Sequence, residues 1–518
     1  MAAHEVFIIS DLHIGGRFPE TEGDRGFRMM TRPDVLTDFI KEVATKAKSA
    51  AENEALPTIE LVINGDFIDF LAESHQDDNG QPVWVPFIEN PERAVAVFKE
   101  IADRGPDAPI FDALAALLEA GGQLTILLGN HDLELSLPPV RAAFEQRIGL
   151  QPHHRYRFLY DGEAYIVGDA LIEHGNRYDS FNVVNHDALR RLRSFMSRHQ
   201  HEHLGRAKFR APAGSHVVAE VMNPFKADYA FVDLLKPESE AFVALILALE
   251  PDTRKDLARL ATLAAEAATH GMAEPAVSKR KGDIASTGGS TGRPRGMASG
   301  MASRTRPRRS EGDDALREAL AQVWSPEVLE SALSTTRTAA GQDIAGGLPA
   351  GVRGVLDLFR KGHNQVFEDR LEQVRQAVRA LEDPDKDFSS SSIDKKGRYF
   401  KAARDLAIAS GEQRFRYVVF GHTHFAKDVP VQEGEEDGPR YLNTGTWANL
   451  MRFPKKLFSE SELEARDALE AFFVDLLYNR LQQYIEFHPT YVRLAVGDDG
   501  RVAEAKLNKF DADTRELA

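Results

Sequence analysis

The sequence predicts an α/β fold interrupted by a mainly helical insertion, and three observations carry that prediction. Short apolar runs rich in Val, Ile and Leu alternate with longer amphipathic stretches over the first 180 residues and again after residue 396. Several of these runs end abruptly in a glycine or a turn, followed by Asp, Asn or His. Between the two parts lies a long stretch with helical patterning and no strand signature. Residues 1–180 and 396–510 are therefore expected to form one core, with 181–395 inserted as a helical cap. Size scaling makes 518 residues too many for a single compact core.

Composition bounds the chemistry. A hydrophobic share of 42% with 28% charged residues is ordinary for a soluble globular protein. The 64 basic and 80 acidic residues leave a formal charge of −16, which argues against broad nucleic-acid binding. There is no cysteine, so disulfides and thiolate metal sites are excluded and any metal must use His, Asp, Asn or Glu. The N-terminus, Met1 to Glu5, lacks a basic and an apolar leader region. The longest apolar run, Ala241 to Leu249, is too short for a membrane helix, which needs about 20 residues. A cytoplasmic protein without a membrane span is expected.

Taken in order, Val6 to Ile9 reads as a buried strand, and it opens into Ser10-Asp11-Leu12-His13. Arg32 to Ser49 reads as a helix. Leu61 to Ile63 is the next strand, leaving through Asn64-Gly65-Asp66-Phe67-Ile68-Asp69. The glycine allows a sharp turn, after which Asp66 points beyond the strand end. Helices follow at Pro91 to Ala102 and Ile110 to Ala120, then a strand at Leu124 to Leu128 that exits through Gly129-Asn130-His131-Asp132. Tyr156 to Leu159, Ala164 to Val167 and Ala170 to Glu173 read as short strands. The last of them ends in His174-Gly175-Asn176-Arg177-Tyr178-Asp179. Ligands collect at such strand-end loops of open α/β sheets.

The insertion opens with a basic helix, Val183 to His199, and continues with apolar-rich helices at Ser239 to Glu250 and Thr253 to Ala268. A segment about 277–312 has no aromatic residue and little to bury, so disorder is expected there. Its basic residues run from Lys279 to Arg309, with Asp283 as the only acid between them. A solvated linker is the preferred reading over a tether for nucleic acid or acidic partners. Phe367, Leu371, Val374, Val378 and Leu381 form one apolar helical stripe.

Arg398 to Ser410 reads as a helix returning to the core. Tyr417 to Phe420 is a strand, and its exit is Gly421-His422-Thr423-His424. In an extended segment residues two apart point the same way, so both imidazoles leave the end of one strand and could reach two metals lying side by side. Arg440 to Leu442 reads as a strand, Asn443 to Trp447 as a turn beside the site, and Glu462 to Gln482 as an amphipathic helix. Tyr491 to Val496 and Arg501 to Lys506 flank Gly497-Asp498-Asp499-Gly500 as a hairpin.

Asp11-x-His13, Gly65-Asp66-x-x-Asp69, Gly129-Asn130-His131-Asp132, His174 and Gly421-His422-x-His424 occur in this order. Each alone is weak; together they are specific. The set resembles the calcineurin-like metallophosphoesterase superfamily, over about Glu5 to Asp179 and Arg414 to roughly Leu507. The resemblance implies a four-layer αββα sandwich with a dinuclear metal centre at one edge. Carried over residue by residue, Asp11, His13, Asp66 and His424 would hold one metal. Asp66 would bridge to a second, completed by Asn130, His174 and His422. The family uses manganese above all, with iron or zinc also found, and the nitrogen and oxygen donors agree. Two cations about 3.5–4 Å apart lower the pKa of a bridging water and clamp phosphate oxygens. His131, left over from the ligand set, is suited to protonate the leaving oxygen, and Asp69 would orient it, as in relatives.

Departures narrow the branch. Phosphoprotein phosphatases of the superfamily carry Arg-Gly where Phe70-Leu71 stands and Glu where Asp132 stands. The UDP-diacylglucosamine pyrophosphohydrolases share the first and last motifs but have Arg at the place of His131 and Asp at the place of Asn176. Gly-Asn-His-Asp is also seen in the nuclease branch. The expected function is metal-dependent hydrolysis of phosphodiesters or phosphoanhydrides on a phosphate-containing small molecule, with nucleic acid a less favoured partner.

Overall fold

The computed structural model describes residues 2–19, 26–199, 209–228, 388–409, 411–432, 438–477, 480–515 and 517. The helices expected at 239–250 and 253–268, the basic segment and the apolar stripe from Phe367 lie outside the described residues.

The architecture is mixed α and β, organised by two sheets. The first half supplies β1 (Ala2–Ile9), α1 (Pro33–Glu52), β2 (Thr58–Asn64), α2 (Pro91–Asp103), α3 (Ala108–Glu119), β3 (Gln123–Leu127), α4 (Pro138–Arg147) and β4 (Arg155–Leu159). It continues with β5 (Tyr165–Val167), β6 (Ala170–Ile172) and α5 (His186–His199). After the insertion come α6 (Arg398–Ala407), β7 (Tyr417–Phe420), β8 (Lys427–Pro430), β9 (Arg440–Asn443), α7 (Glu462–Leu477), β10 (Thr490–Gly497) and β11 (Val502–Lys509). The six-stranded sheet runs β11-β10-β1-β2-β3-β4 and the five-stranded sheet runs β8-β9-β7-β6-β5.

Strands β1 to β4 are mutually parallel. The terminal hairpin expected from sequence adds antiparallel strands to that sheet, with β10 pairing β1 from Ala2 to Ile8. In the other sheet β7 is parallel to both β6 and β9.

Strand periodicity sorts the side chains of β1. Phe7 and Ile9 join an apolar cluster with Phe39 and Val43 of α1, Phe98 of α2, Leu114 of α3 and Phe144 of α4. Val6 and Ile8 join a second cluster with Ile172, Val419 and Leu442 of the other sheet. On that sheet, Leu171, Val418, Phe420 and Tyr441 pack instead with Phe400, Ala403 and Ala407 of α6.

Helix starts follow local chemistry. Asn90 accepts a hydrogen bond from the Arg93 amide at 2.8 Å and caps α2, and Asn185 does the same for α5 through Ala188 at 2.9 Å. The helix α4 had no sequence expectation. It starts on Pro138-Pro139, a pair that reads as a breaker, yet the first turn needs no intrahelical amide donor. Helix α5 packs into the core rather than away from it: Leu189, Leu192 and Met196 share the cluster of α4 and the main sheet. No helix among the described residues is long and apolar enough to cross a membrane.

Candidate metal centre

Parallel pairing brings the exits together. Because β1, β2 and β3 lie side by side in one direction, their C-terminal ends release Asp11, Asp66 and Asn130 at one edge. The parallel pair β6 and β7 releases His174 and Gly421 to His424 from the other sheet. Backbone bonds tie the exits to one another. The amides of Leu12 and His13 both donate to the Asp66 carbonyl, at 2.9 and 3.0 Å, and Gly421 N–H donates to the His174 carbonyl at 3.0 Å. Asn64 Nδ2 donates to the Glu173 carbonyl at 2.9 Å and joins the two sheets.

The backbone at these residues is unusual. Six described non-glycine residues have positive φ, and five of them are Asp11, His13, Asp66, His422 and His424. Such conformations cost of order 1–3 kcal/mol each and persist only where the surroundings over-determine them. This corrects the extended reading of the His-x-His tip. With φ of 66° and 63°, His422 and His424 are left-handed and turn apart. His424 gathers with Asp11 and His13, and His422 with Asp66 and His174.

All nine residues singled out from sequence meet here. The His424 Nε2 atom lies 3.0 Å from His13 Nε2 and 3.4 Å from Asp11 Oδ1. The His174 Nε2 atom lies 3.1 Å from Asp66 Oδ2, and His13 Nε2 lies 4.0 Å from the same oxygen. Asp66 thus stands between both groups. Its other oxygen accepts the amides of Asn130 and His131 at 2.8 and 2.9 Å. Asp69 accepts from His131 Nδ1 at 3.1 Å and lies 3.6 Å from His13 Nδ1.

The donors suit a divalent cation. His174 Nδ1 donates to the Asn64 carbonyl at 2.8 Å, which leaves the Nε2 lone pair facing a carboxylate oxygen. At that separation the pair can share either a proton or a divalent cation. The Asn130 amide oxygen is buried with no hydrogen-bond partner, while its Nδ2 donates to Asn182 Oδ1 at 3.4 Å. An orphaned buried acceptor costs about 1–3 kcal/mol, and coordination removes that cost.

Three glycines keep the space. A Cβ at Gly65 would stand 2.5 Å from the His174 ring, one at Gly129 2.1 Å from Asp66 Oδ1, and one at Gly421 2.6 Å from Asp11 Oδ2. The exits therefore need glycine for close approach, and Gly65 also has φ of +82°.

Charges compensate within the cluster. Burial would raise Asp11, but the hydrogen bond with His424 and the charges of His174 and His424 bring it down to about 2. Asp66 is likewise buried, and His174, His131 and His13 hold it well below the carboxylate range. Asp69 is lowered against burial by His131 and His13. Burial would lower His174, yet Asp66 and Asp11 push it up to about 10. A proton therefore competes with a metal for that place. Asp132 goes the other way, raised to about 7 by burial and by Asp66.

Several supporting residues escaped sequence reasoning. Asp132 is fully buried and accepts the amides of Phe67 and Gly129 at 2.9 and 2.7 Å, joining two exits. Ser10 Oγ donates to Asp11 and touches Thr444 Oγ1, and Thr446 Oγ1 donates to the Asp11 carbonyl at 2.7 Å. Asp179 Oδ2 lies 3.4 Å from His422 Nε2 and is also reached by Arg398 of α6. All but Arg398 stand within or beside the strand exits, which was the only sequence signal available. Comparison with protein-family models gives no match, and none is found among curated proteins.

Proposed function

We propose that this chain is a metal-dependent phosphohydrolase acting on phosphodiesters or phosphoanhydrides of a small molecule in the cytoplasm. The observation that carries the reading is the meeting of two ligand groups at one carboxylate: Asp11, His13 and His424 on one side, His174 and His422 on the other, with Asp66 between. Asp11, His13, Asp66 and His424 would hold one divalent ion; Asp66, Asn130, His174 and His422 would hold the second, with manganese preferred over iron or zinc. A four-layer arrangement, helices outside two sheets, is the proposed architecture. Its support is the alternation of the β1 and β7 side chains between separate apolar clusters.

Bound there, two divalent ions supply Lewis-acid activation of water and charge neutralisation at phosphate oxygens. The chain's own residues do the rest. Asp69, kept ionised, accepts from His131 Nδ1 and fixes the orientation of the ring. The His131 Nε2 edge is then the one that meets the substrate and gives its proton to the leaving oxygen. His131 suits that role because its side chain is 17% exposed, whereas those of His13 and His174 are 1% exposed. Asp132 and the Asn130 and His131 amides hold Asp66 and its neighbours in register.

Metal analysis combined with turnover of bis-p-nitrophenyl phosphate tests the proposal. Two ions per chain and manganese-dependent release of p-nitrophenol are expected. Absence of both metal and turnover would remove the enzyme reading.

A further inference from the structure

Beside the turn between β4 and β5 stand basic side chains of α4 and α5, outside the metal groups. Arg141 of α4 lies over the Tyr160 ring with its guanidinium carbon 4.1 Å from the centroid, and Arg193 of α5 lies over the same ring at 4.8 Å. Arg193 is only 7% exposed. Among the described residues its hydrogen bond is from Nη1 to the Tyr160 carbonyl at 3.2 Å, and that of Arg141 is from Nη1 to the Ser136 carbonyl at 3.4 Å. Among the described residues neither guanidinium has a carboxylate within ion-pair distance; Glu145 and Asp161 act on them only from further away. His186, across the turn, is pushed down to about 4 by burial and by Arg177 and Arg193. Positive potential thus collects here in a chain of net charge −16. A guanidinium as buried as that of Arg193 is costly without an anionic partner, and among the described residues each of the two arginines uses one of its five donors.

The place matters as much as the charge. Leu159 pairs with Leu127 in register, and the Leu128 amide donates to the Leu159 carbonyl at 3.1 Å. Tyr160 therefore leaves the sheet beside Gly129-Asn130, from a strand about 4.8 Å away. Asn182, just before α5, accepts from Asn130 Nδ2, so α5 is anchored at the same edge.

We infer that Arg141 and Arg193, both lying over Tyr160, form an anion subsite that takes a second phosphate group of the substrate. This rests on the phosphohydrolase reading for its substrate, but not for the anion site itself. Guanidinium forks match phosphate oxygens in pairs, both lie over the Tyr160 ring, and no carboxylate of the described residues stands within ion-pair distance of either.

Calorimetry on full-length, EDTA-stripped protein at low ionic strength, with pyrophosphate as the probe, tests the site. Binding is expected in the wild type and a loss of tenfold or more in Arg141→Gln and in Arg193→Gln. Arg141 is half-buried on a helix surface, so Arg141→Gln decides the matter if Arg193→Gln does not fold. In the metal-loaded enzyme, Arg141→Gln should lower kcat/KM for a diphosphate diester at least tenfold more than for bis-p-nitrophenyl phosphate. No pyrophosphate binding by the wild type, or equal binding by the variants, would overturn the subsite. So would equal binding of orthophosphate with no change in that substrate ratio, which marks a site for free anions. If the wild type hydrolyses neither ester, the phosphohydrolase reading fails, and the calorimetry alone decides the anion site.

Discussion

Gly421→Ala is the perturbation whose consequence can be worked most directly from the structure. A Cβ there would lie 2.4 Å from Ser10 Oγ, 2.6 Å from Asp11 Oδ2 and 2.8 Å from Ser10 Cβ. Ordinary contact begins at 3.4 Å, so the Asp11 oxygen must retreat by about 0.8 Å and the hydroxyl by about 1.0 Å, values that follow from contact geometry. Gly421 does not need a left-handed backbone, so the effect is steric alone. Overpacking of this kind costs about 1–3 kcal/mol of stability. The functional loss should be larger, because Asp11 also accepts the His422 amide at 2.9 Å and stands in the ligand group with His13 and His424. A displacement near 1 Å costs about 10²-fold in rate. Manganese titration of the stripped protein, thermal melting and turnover of bis-p-nitrophenyl phosphate read the three effects separately. Gly105→Ala, with nothing within 4 Å of the new Cβ, is the control. Adding Ser10→Ala to Gly421→Ala removes the hydroxyl in conflict and should restore part of the affinity. A Gly421→Ala protein with wild-type metal affinity and turnover would refute the close-packing argument.

Asp66→Asn should nearly abolish turnover and weaken both ions, since one Asp66 oxygen faces His174 and His13 and the other holds two amides; two ions retained per chain would contradict it. His131→Ala should keep both ions while the rate falls by roughly 10²–10⁴, with a smaller loss for p-nitrophenyl than for alkyl esters; equal losses would argue against a proton donor. Glu134 is buried, accepts the Ile88 amide at 2.7 Å and is pushed up to about 8 by burial. The folded state therefore holds its proton more tightly than the unfolded chain, and its contribution, complete below the ordinary glutamate pKa, is lost as pH rises towards 8. Glu134→Gln keeps the acceptor oxygen, so its unfolding free energy relative to wild type, read by urea denaturation, should climb between pH 5 and 8, by at most about 1.4 kcal/mol per pH unit; a constant difference would remove the assignment.

Much of the site was legible in the linear chain. Buried strands announce themselves as short β-branched runs, and the residues after them are read directly, so Asp11, His13, Asp66, Asp69, Asn130, His131, His174, His422 and His424 could be named without coordinates. Strands β1 to β3 fall where those runs end, to within a residue or two at their C-terminal boundaries. The order of pairing was not legible. Val492 lies opposite Ile8 because antiparallel pairing over most of the chain is decided by which faces bury together, and no local pattern records it. Only the tertiary structure shows that His422 and His424 separate into different groups. Their left-handed backbone is not a preference of histidine; it goes with long-range contacts to Asp11, which accepts the His422 amide and lies 3.4 Å from His424 Nε2. The same holds for Asp132, whose burial between two exits turns an ordinary turn residue into a brace. Arg193 lies in the helix that reads as basic from sequence, but Arg141 and Tyr160 carry no local signal, and the three meet only because α4 and α5 pack beside the end of β4. A chain of side chains carries the chemical identity of a site; the distances that decide what those side chains do arise from long-range packing.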